Sequence, residues 1–477
     1  MKTDIFSGNF INGSWVNDSS EPDSDVLNKF SGEVITKVTM ANDEMIENAL
    51  AGSTQGFLEL RSWSAGKRSD YLYKLRDALI DKEAQAVEII IKEAGKPRSY
   101  AVAEVKRCLT TIEAAAVEAK RMTGEMVPID FDHGQGKTAY TKRYPIGPVL
   151  CITPFNFPLN LVLHKVAPAL ACGCSVVVKP APQAPLSALF LASLLETVGY
   201  PSGVANFVNC SIELAEKMVT DDRIKMISFT GSEKVGWHIK NICGTKKIAL
   251  ELGGNAAVVV DDIKEIDAIA KKVAIGSYLY AGQICISTQR ILVHQNILDR
   301  FKKQLIQEIE SLKVGDPSEG DVSVGPLIDK MHLRRLGVWV QEAVDSGAHV
   351  LTGGGVFNED QNIFEPTLIE KAKSPLKVVD EEVFGPIAII DSFTSFDQAI
   401  EMVNDSKYGL QVGVYTDSIE NMKKSHEDLE VAGVIMNDIP GFRIDTMPYG
   451  GIKMSGFGRE GLKYTIEEMT EPRLIVF

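Results

Sequence analysis

The sequence predicts an α/β protein built on parallel sheets and crossover helices, arranged in two units. Three observations carry that prediction. Short apolar, β-branched runs alternate with helix-patterned stretches from about residue 175 onward, the order in which parallel strands and their crossovers are strung. A long, mostly helical region precedes the first parallel strand. The chain has 477 residues, and at roughly 150 residues per domain it holds about three domains.

The elements follow in order. Residues 42–80 and 81–120 read as helical. From 121 to 144 the pattern changes: runs at 126–131 and 138–144 flank Asp132-His-Gly-Gln-Gly-Lys137 and read as an antiparallel hairpin. A hairpin is marginal alone, so it is expected to pack on another surface, such as a neighbouring subunit. Residues 145–163 carry no formal charge and match a membrane span in length. They also contain Pro145, Pro148, Pro154 and Pro158, and proline breaks helix interiors, so a buried strand and loops are read there. Strand 175–178 precedes helix 186–197, and strand 224–229 precedes helix 233–242. Strands 248–252 and 256–260 surround Gly253-Gly254. A helix at 263–279, a strand at 290–294 and a helix at 329–344 come next. Strands near 387–390, 412–415, 434–436 and 472–477 complete the chain.

Composition bounds the function. The chain is 45% hydrophobic and 24% charged, ordinary for a folded protein, and long enough to bury a large core. Fifty Lys and Arg against 64 Asp and Glu give a net charge of −14. That argues against general nucleic-acid binding, whose affinity comes mostly from phosphate neutralisation. Seven cysteines are too few and odd in number for a disulfide framework, and a reducing cytoplasm is expected. The opening MKTDIFSGNF has no apolar region of the kind a secretory signal carries. No membrane association and no metal site are expected, since the histidines are scattered and the Cys172/Cys174 pair sits where an apolar segment enters a strand.

Four segments stand out together: Thr153-Pro-Phe-Asn-Phe-Pro158, Phe229-Thr-Gly-Ser-Glu-Lys-Val-Gly236, Leu250-Glu-Leu-Gly-Gly254 and Gly282-Gln-Ile-Cys-Ile286. Lys179-Pro180, Glu381-Glu-Val-Phe-Gly-Pro386 and Pro448-Tyr-Gly-Gly-Ile-Lys-Met-Ser-Gly-Phe-Gly-Arg-Glu460 accompany them. Any one is weak; seven in order resemble the aldehyde dehydrogenase superfamily over essentially the whole chain. The resemblance implies a Rossmann-like cofactor domain (1–120 and 145–250), an α/β catalytic domain with a parallel sheet (251–463) and a small β oligomerisation element (121–144 and 464–477). It also implies NAD(P)-dependent, non-acylating oxidation of an aldehyde to its acid by a homodimer or homotetramer.

Cys285 is the candidate nucleophile. A thiolate attacks a carbonyl well, but a free thiol titrates near about 8.5, so the site must lower that or supply a base. The bland alternative is a buried, inert cysteine. Glu251, between Leu250 and Leu252, is placed to lose hydration and gain a raised pKa, which suits a general base; its bland alternative is a salt-bridged strand end. By resemblance Glu251 activates the water that hydrolyses the thioester, and Glu460, with Lys165 opposite, relays the proton outward. Asn156 matches the side-chain oxyanion donor, beside the backbone N–H of Cys285; the alternative is an Asx turn between two prolines.

For the cofactor, the strand running into Gly231-Ser232 and a helix N-terminus makes an anion site for a pyrophosphate. By resemblance Ser232 contacts phosphate, Gly236 allows close packing, Lys179 binds the adenine ribose, and Glu382 and Phe384 hold the nicotinamide ribose and ring. Thr153, Pro154, Phe155 and Leu252 border the same cofactor. Pro182 stands where many NAD-specific relatives carry a glutamate, so nothing there repels a 2′-phosphate; NADP is expected to be accepted as well as NAD. Phe155 replaces a common tryptophan.

Substrate-side residues are Phe157, the apolar Ile284 and Ile286, and two arginines, Arg107 and Arg443. Two guanidiniums suit a carboxylate or phosphate tail, or else form salt bridges in an acidic protein. The expected substrate is a small aldehyde with an anion or hydroxyl, of the glyceraldehyde 3-phosphate, lactaldehyde or semialdehyde type. Three other readings remain: a coenzyme A-acylating relative, which Glu251 argues against; a non-catalytic structural protein on the same fold; and a cysteine hydrolase, for which no histidine can be tied to Cys285.

Overall fold

The computed structural model describes residues 6–477. Two parallel-centred sheets organise it, as the alternation predicts. The first runs Ser14–Val16, Asn9–Ile11, Ala205–Phe207, Val176–Lys179, Val149–Ile152, Met226–Thr230, Lys247–Glu251, Gly456–Phe457. Its five central strands are parallel, and antiparallel strands close both edges. The second runs His349–Thr352, Thr367–Glu370, Ile387–Phe393, Arg290–His294, Ala257–Val260, Gln411–Tyr415, Gly433–Met436, with only the first strand antiparallel. Val176–Lys179 and Ala257–Val260 are unbroken valine-rich runs, because strands covered by helices on both faces have no polar side to show.

Four helices, Asp43–Leu60, Ala65–Asp81, Glu83–Ala94 and Arg98–Ala119, fill the region read as helical. Asn42 and Ser64 cap the first two through their side-chain oxygens. The reading of residues 145–163 as strand and loops is corrected at its end. Helix Asn160–Cys172 begins inside it and is buried at every position. Pro154 and Pro158 lie in the loop ahead of the helix, and Pro168 lies within it. Packing against Arg98–Ala119 and Ala65–Asp81 holds the helix despite the lost backbone bond. It stops at Gly173, whose φ of 98° disfavours any residue with a Cβ. Cys172 and Cys174 are both buried and free.

The expected hairpin is Met126–Val127 against Ala139–Pro145, and Thr470–Val476 pairs along the other side of Ala139–Pro145 from Thr470↔Pro145 to Val476↔Ala139. The sequence reading assigned nothing to Asn9–Ile11, Ser14–Val16, Ser24–Leu27 or Val34–Val38; strands of three to five residues are too short for a period to show. Among the described residues no helix is long and apolar enough to cross a membrane, and no group of three His, Cys, Asp or Glu is placed to hold a metal ion.

Candidate active site

A cleft of 660 Å³ opens at the carboxyl ends of the first sheet's parallel strands, where open α/β sheets bind ligands. Every residue singled out above as catalytic, cofactor-binding or substrate-binding lines it, except Lys165 and Gly236. Those two stand just behind it. Lys165 bonds Glu460, and a Cβ on Gly236 would meet Leu252 at 2.3 Å, so only glycine lets that helix approach the strand end.

The strand–helix–turn preceding Cys285 is held under strain. After helix Ile266–Tyr278, Tyr280 (φ 50°), Ala281 (φ 52°) and Gly282 (φ 67°) are left-handed in succession, a costly conformation for the two non-glycines. Buried Gln283 fixes the turn: its amide donates to the carbonyls of Pro326 (3.2 Å) and Tyr280 (3.4 Å), and its oxygen accepts from the N–H of Ile328 (3.0 Å). The Cys285 Sγ then lies 3.1 Å from the Tyr449 hydroxyl. Burial pushes the thiol up to about 11, with the Tyr449 hydrogen bond pulling the other way. Asn156 Nδ2 donates to the Gln283 carbonyl at 2.9 Å, which ties the loop after Val149–Ile152 to the cysteine turn; its Oδ1 is buried without a partner.

Glu251 ends strand Lys247–Glu251. Both its oxygens are buried and have no hydrogen-bond partner among the described residues. Burial, and next the charge of Glu460, push its pKa well above the usual carboxylate range. Glu460 has the opposite surroundings. Burial pushes it up, but the Lys165 ammonium at 2.6 Å, His164 at 3.6 Å and Arg443 at 3.5 Å hold it well below the usual range. Lys165 also donates to the hydroxyls of Ser228 (3.0 Å) and Thr230 (2.8 Å).

The two arginines differ. Arg107 donates to Asp445 at 2.5 Å with a third of its side chain exposed. Arg443 is 8% exposed. Its guanidinium carbon lies 3.5 Å from the Tyr449 ring centroid and one of its terminal nitrogens is 3.0 Å from His164 Nδ1. Asp445 also contacts His164 Nε2 at 3.0 Å and accepts from Thr111 at 2.9 Å. Burial raises its pKa, and His164 and Arg107 outweigh that and depress it.

At the other end of the cleft, the features fit a dinucleotide. Ser232 caps helix Glu233–Ile242 without spending its side chain on a cap bond. Thr153 Oγ1 is buried and unpartnered. Lys179, its pKa lowered by burial, makes a 3.3 Å contact with the Pro180 carbonyl. Glu382 accepts from the Gly254 N–H at 3.2 Å and is pushed up to about 7 by burial. Phe384 meets Phe155 edge-on at 5.8 Å.

Sequence reasoning missed Tyr449, Gln283, His164 and Asp445. Tyr449 and Gln283 lie inside quoted segments and His164 precedes Lys165, so adjacency was the available signal. Asp445 had none, since its partners Arg107, Thr111 and His164 are 281 to 338 residues away in sequence.

The aldehyde dehydrogenase family model matches residues 15–475. A 3-sulfolactaldehyde dehydrogenase of Priestia megaterium is 39% identical over 471 residues, 98% of this chain and 97% of that one. Aldehyde dehydrogenase 21 of Physcomitrella patens, solved with its reaction product succinate, superposes with a TM-score of 0.96 at 36% identity, covering 99% and 98% of the two chains. The glyceraldehyde-3-phosphate dehydrogenase of Methanocaldococcus jannaschii, solved with NADP, gives 0.91 at 36% identity over 96% and 100%. With its parallel sheets, its cleft at their carboxyl ends and this likeness along nearly its whole length, the chain belongs to the aldehyde dehydrogenase family.

Proposed function

We propose that this enzyme oxidises a small aldehyde bearing an anionic tail to its carboxylic acid, with Cys285 as nucleophile and NADP or NAD as acceptor. The carrying observation is that Cys285 shares one cleft with a Glu251 whose two oxygens have no partner. An unpaired buried carboxylate is costly and is kept where a water must be activated. The Cys285 sulfur adds to the aldehyde carbon, and the Asn156 amide, with the Cys285 N–H, stabilises the oxyanion. When bound, the nicotinamide supplies the hydride acceptor. Glu251 takes a proton from the water that attacks the resulting thioester, and the acyl carbon–sulfur bond breaks with Cys285 leaving as thiolate. Glu460, held ionised by Lys165, relays the proton outward. Ser232 and Gly231 would hold the pyrophosphate, with Gly236 letting the helix pack close, Lys179 the adenine ribose, and Glu382 and Phe384 the nicotinamide end, with Thr153, Pro154, Phe155 and Leu252 around them. Pro182 leaves room for the 2′-phosphate of NADP.

Sulfolactaldehyde, glyceraldehyde 3-phosphate and the precursor of succinate each carry an anion a few carbons from the aldehyde. Arg107, the more open guanidinium at the cleft, suits such a tail, beside Phe157, Ile284 and Ile286. Arg443 is largely committed to Tyr449, His164 and Glu460. The test compares kcat/KM for anionic and neutral small aldehydes with NADP and with NAD. Arg107→Met is expected to raise KM for the anionic substrate about tenfold or more, the worth of a charged hydrogen bond, with little change for the neutral one. Equal effects on both overturn the anchor, and a strong NAD preference overturns the reading of Pro182.

The two sheets support a cofactor domain over 1–120 and 145–250 and a catalytic domain over 251–463, with strand Gly456–Phe457 crossing back to the first sheet. Leu474, Val476 and Phe477 are exposed apolar residues at the end of the 464–477 segment, which supports a homodimer or homotetramer joined through the β element. The seven free cysteines support a reducing cytoplasm.

A further inference from the structure

We propose that Tyr449 is a catalytic residue whose hydroxyl donates a hydrogen bond to the Cys285 thiolate, with Arg443 stacked on its ring as the positioning residue. The proposal rests on Cys285 being the nucleophile and adds how its reactive form is held.

The geometry is specific. Among the described residues, the Tyr449 hydroxyl is the sole side-chain hydrogen-bond partner of Sγ, at 3.1 Å. Tyr449 is 4% exposed, so water does not compete freely for that bond. Its backbone is locked by reciprocal bonds to Glu460: the Tyr449 N–H donates to the Glu460 carbonyl at 2.9 Å and the Glu460 N–H to the Tyr449 carbonyl at 2.7 Å. On the ring face sits the Arg443 guanidinium, 3.5 Å from the centroid. It is fixed by His164 and Glu460.

In the thiol form either atom can donate. Once the sulfur ionises it has no hydrogen, and the phenol becomes the donor. A cation over the ring draws electron density from it, which strengthens the O–H as a donor. A hydrogen bond to the charged form favours that form. The charged groups facing the pair are Arg443, which also favours the thiolate, and Glu251 and Glu382, which oppose it. With two carboxylates and burial set against ionisation, the hydroxyl and the guanidinium are the groups that offset them. Arg443 therefore acts on the thiol through Tyr449 rather than chiefly on the substrate.

The test is the pH dependence of Cys285 alkylation by iodoacetamide in the whole, cofactor-free enzyme, with the modified peptide identified by mass. The thiolate sulfur forms the S–C bond, iodide leaves, and the thiol proton goes to the medium. The other six cysteines are buried, which favours a clean readout. Tyr449→Phe removes one oxygen and keeps the ring under Arg443. It is expected to move the alkylation profile up by about one pH unit or more and to slow the reaction near neutrality about tenfold, with thermal unfolding close to that of the parent. Thiolate absorbance followed against pH gives a second, reagent-free reading of the same shift. An unchanged profile in Tyr449→Phe overturns the proposal. Full activity in the alkylated parent overturns instead the assignment of Cys285 as nucleophile, so the two failures are distinguishable.

Discussion

On the floor of the cleft, Lys165, His164, Asp445 and Glu460 are almost fully buried, and each meets a partner of complementary charge or hydrogen-bonding character at 2.5–3.6 Å. On the adjoining wall, Glu251, Asn156 Oδ1 and Thr153 Oγ1 are equally buried and have no hydrogen-bond partner among the described residues. Each set holds a buried glutamate, and the two glutamates are treated in opposite ways. Buried polar groups left unpaired cost free energy, so a fold keeps them where a ligand or water is to complete them. The floor is the scaffold that fixes those positions. Glu251 and Glu460 show it most directly. Burial works on both, yet one is pushed well above the ordinary carboxylate range and the other held well below it, because Lys165, His164 and Arg443 contact Glu460 directly while the Glu460 charge itself opposes ionisation of Glu251.

Four substitutions break or sharpen this contrast. Cys285→Ala removes the proposed nucleophile. It should lower dehydrogenase turnover on the order of 10⁵-fold or more, the scale of losing a covalent nucleophile; retained steady-state oxidation refutes the assignment. Glu251→Gln should slow thioester hydrolysis about 10²–10⁴-fold while leaving a single-turnover burst of reduced cofactor. In the parent, hydrolysis should rise with pH above the ordinary carboxylate range, since only ionised Glu251 accepts the proton. The same raised pKa has a stability sign. The folded state binds the Glu251 proton more tightly than the unfolded chain, so the associated stability is present at low pH and lost as pH rises through the folded pKa. Glu251→Gln should therefore gain stability over the parent at alkaline pH.

Lys165→Met, on the floor, should do the reverse. Removing one partner of a buried pair costs about 3–5 kcal/mol, read as a lower denaturant midpoint. Because Glu460 then loses the cation that keeps it ionised, the loss should shrink as pH falls toward its protonation. A negligible loss would mean that the floor is no scaffold. Asn156→Ala is the smallest of the four, about 10²–10³-fold in kcat, with KM nearly unchanged. A pure KM effect would make Asn156 a turn residue instead.

Much of the wall was legible in the sequence. Cys285, Glu251 and Asn156 lie in short segments with glycine or proline neighbours, and a local pattern survives in a linear reading. Strand Arg290–His294 and helix Glu233–Ile242 fall where periodicity puts them. Helix Asn160–Cys172 did not, because an all-apolar run has no period to separate helix from strand, and its prolines argued for a break that tertiary packing overrode. Asp445 was illegible for another reason. Its role consists of contacts with Arg107, Thr111 and His164, and nothing local marks it.

The sequence by itself determined the α/β class and the family, and it nominated the proposed nucleophile and base, since the motifs that carry them are residue identities within a few positions. Only the tertiary structure decided which charges are paired and which are left open, which way each carboxylate titrates, and that Arg443 lies on Tyr449 beside the thiol. Those are properties of burial and of distances between segments up to 338 residues apart, and electrostatic energies depend on both far more than on residue type.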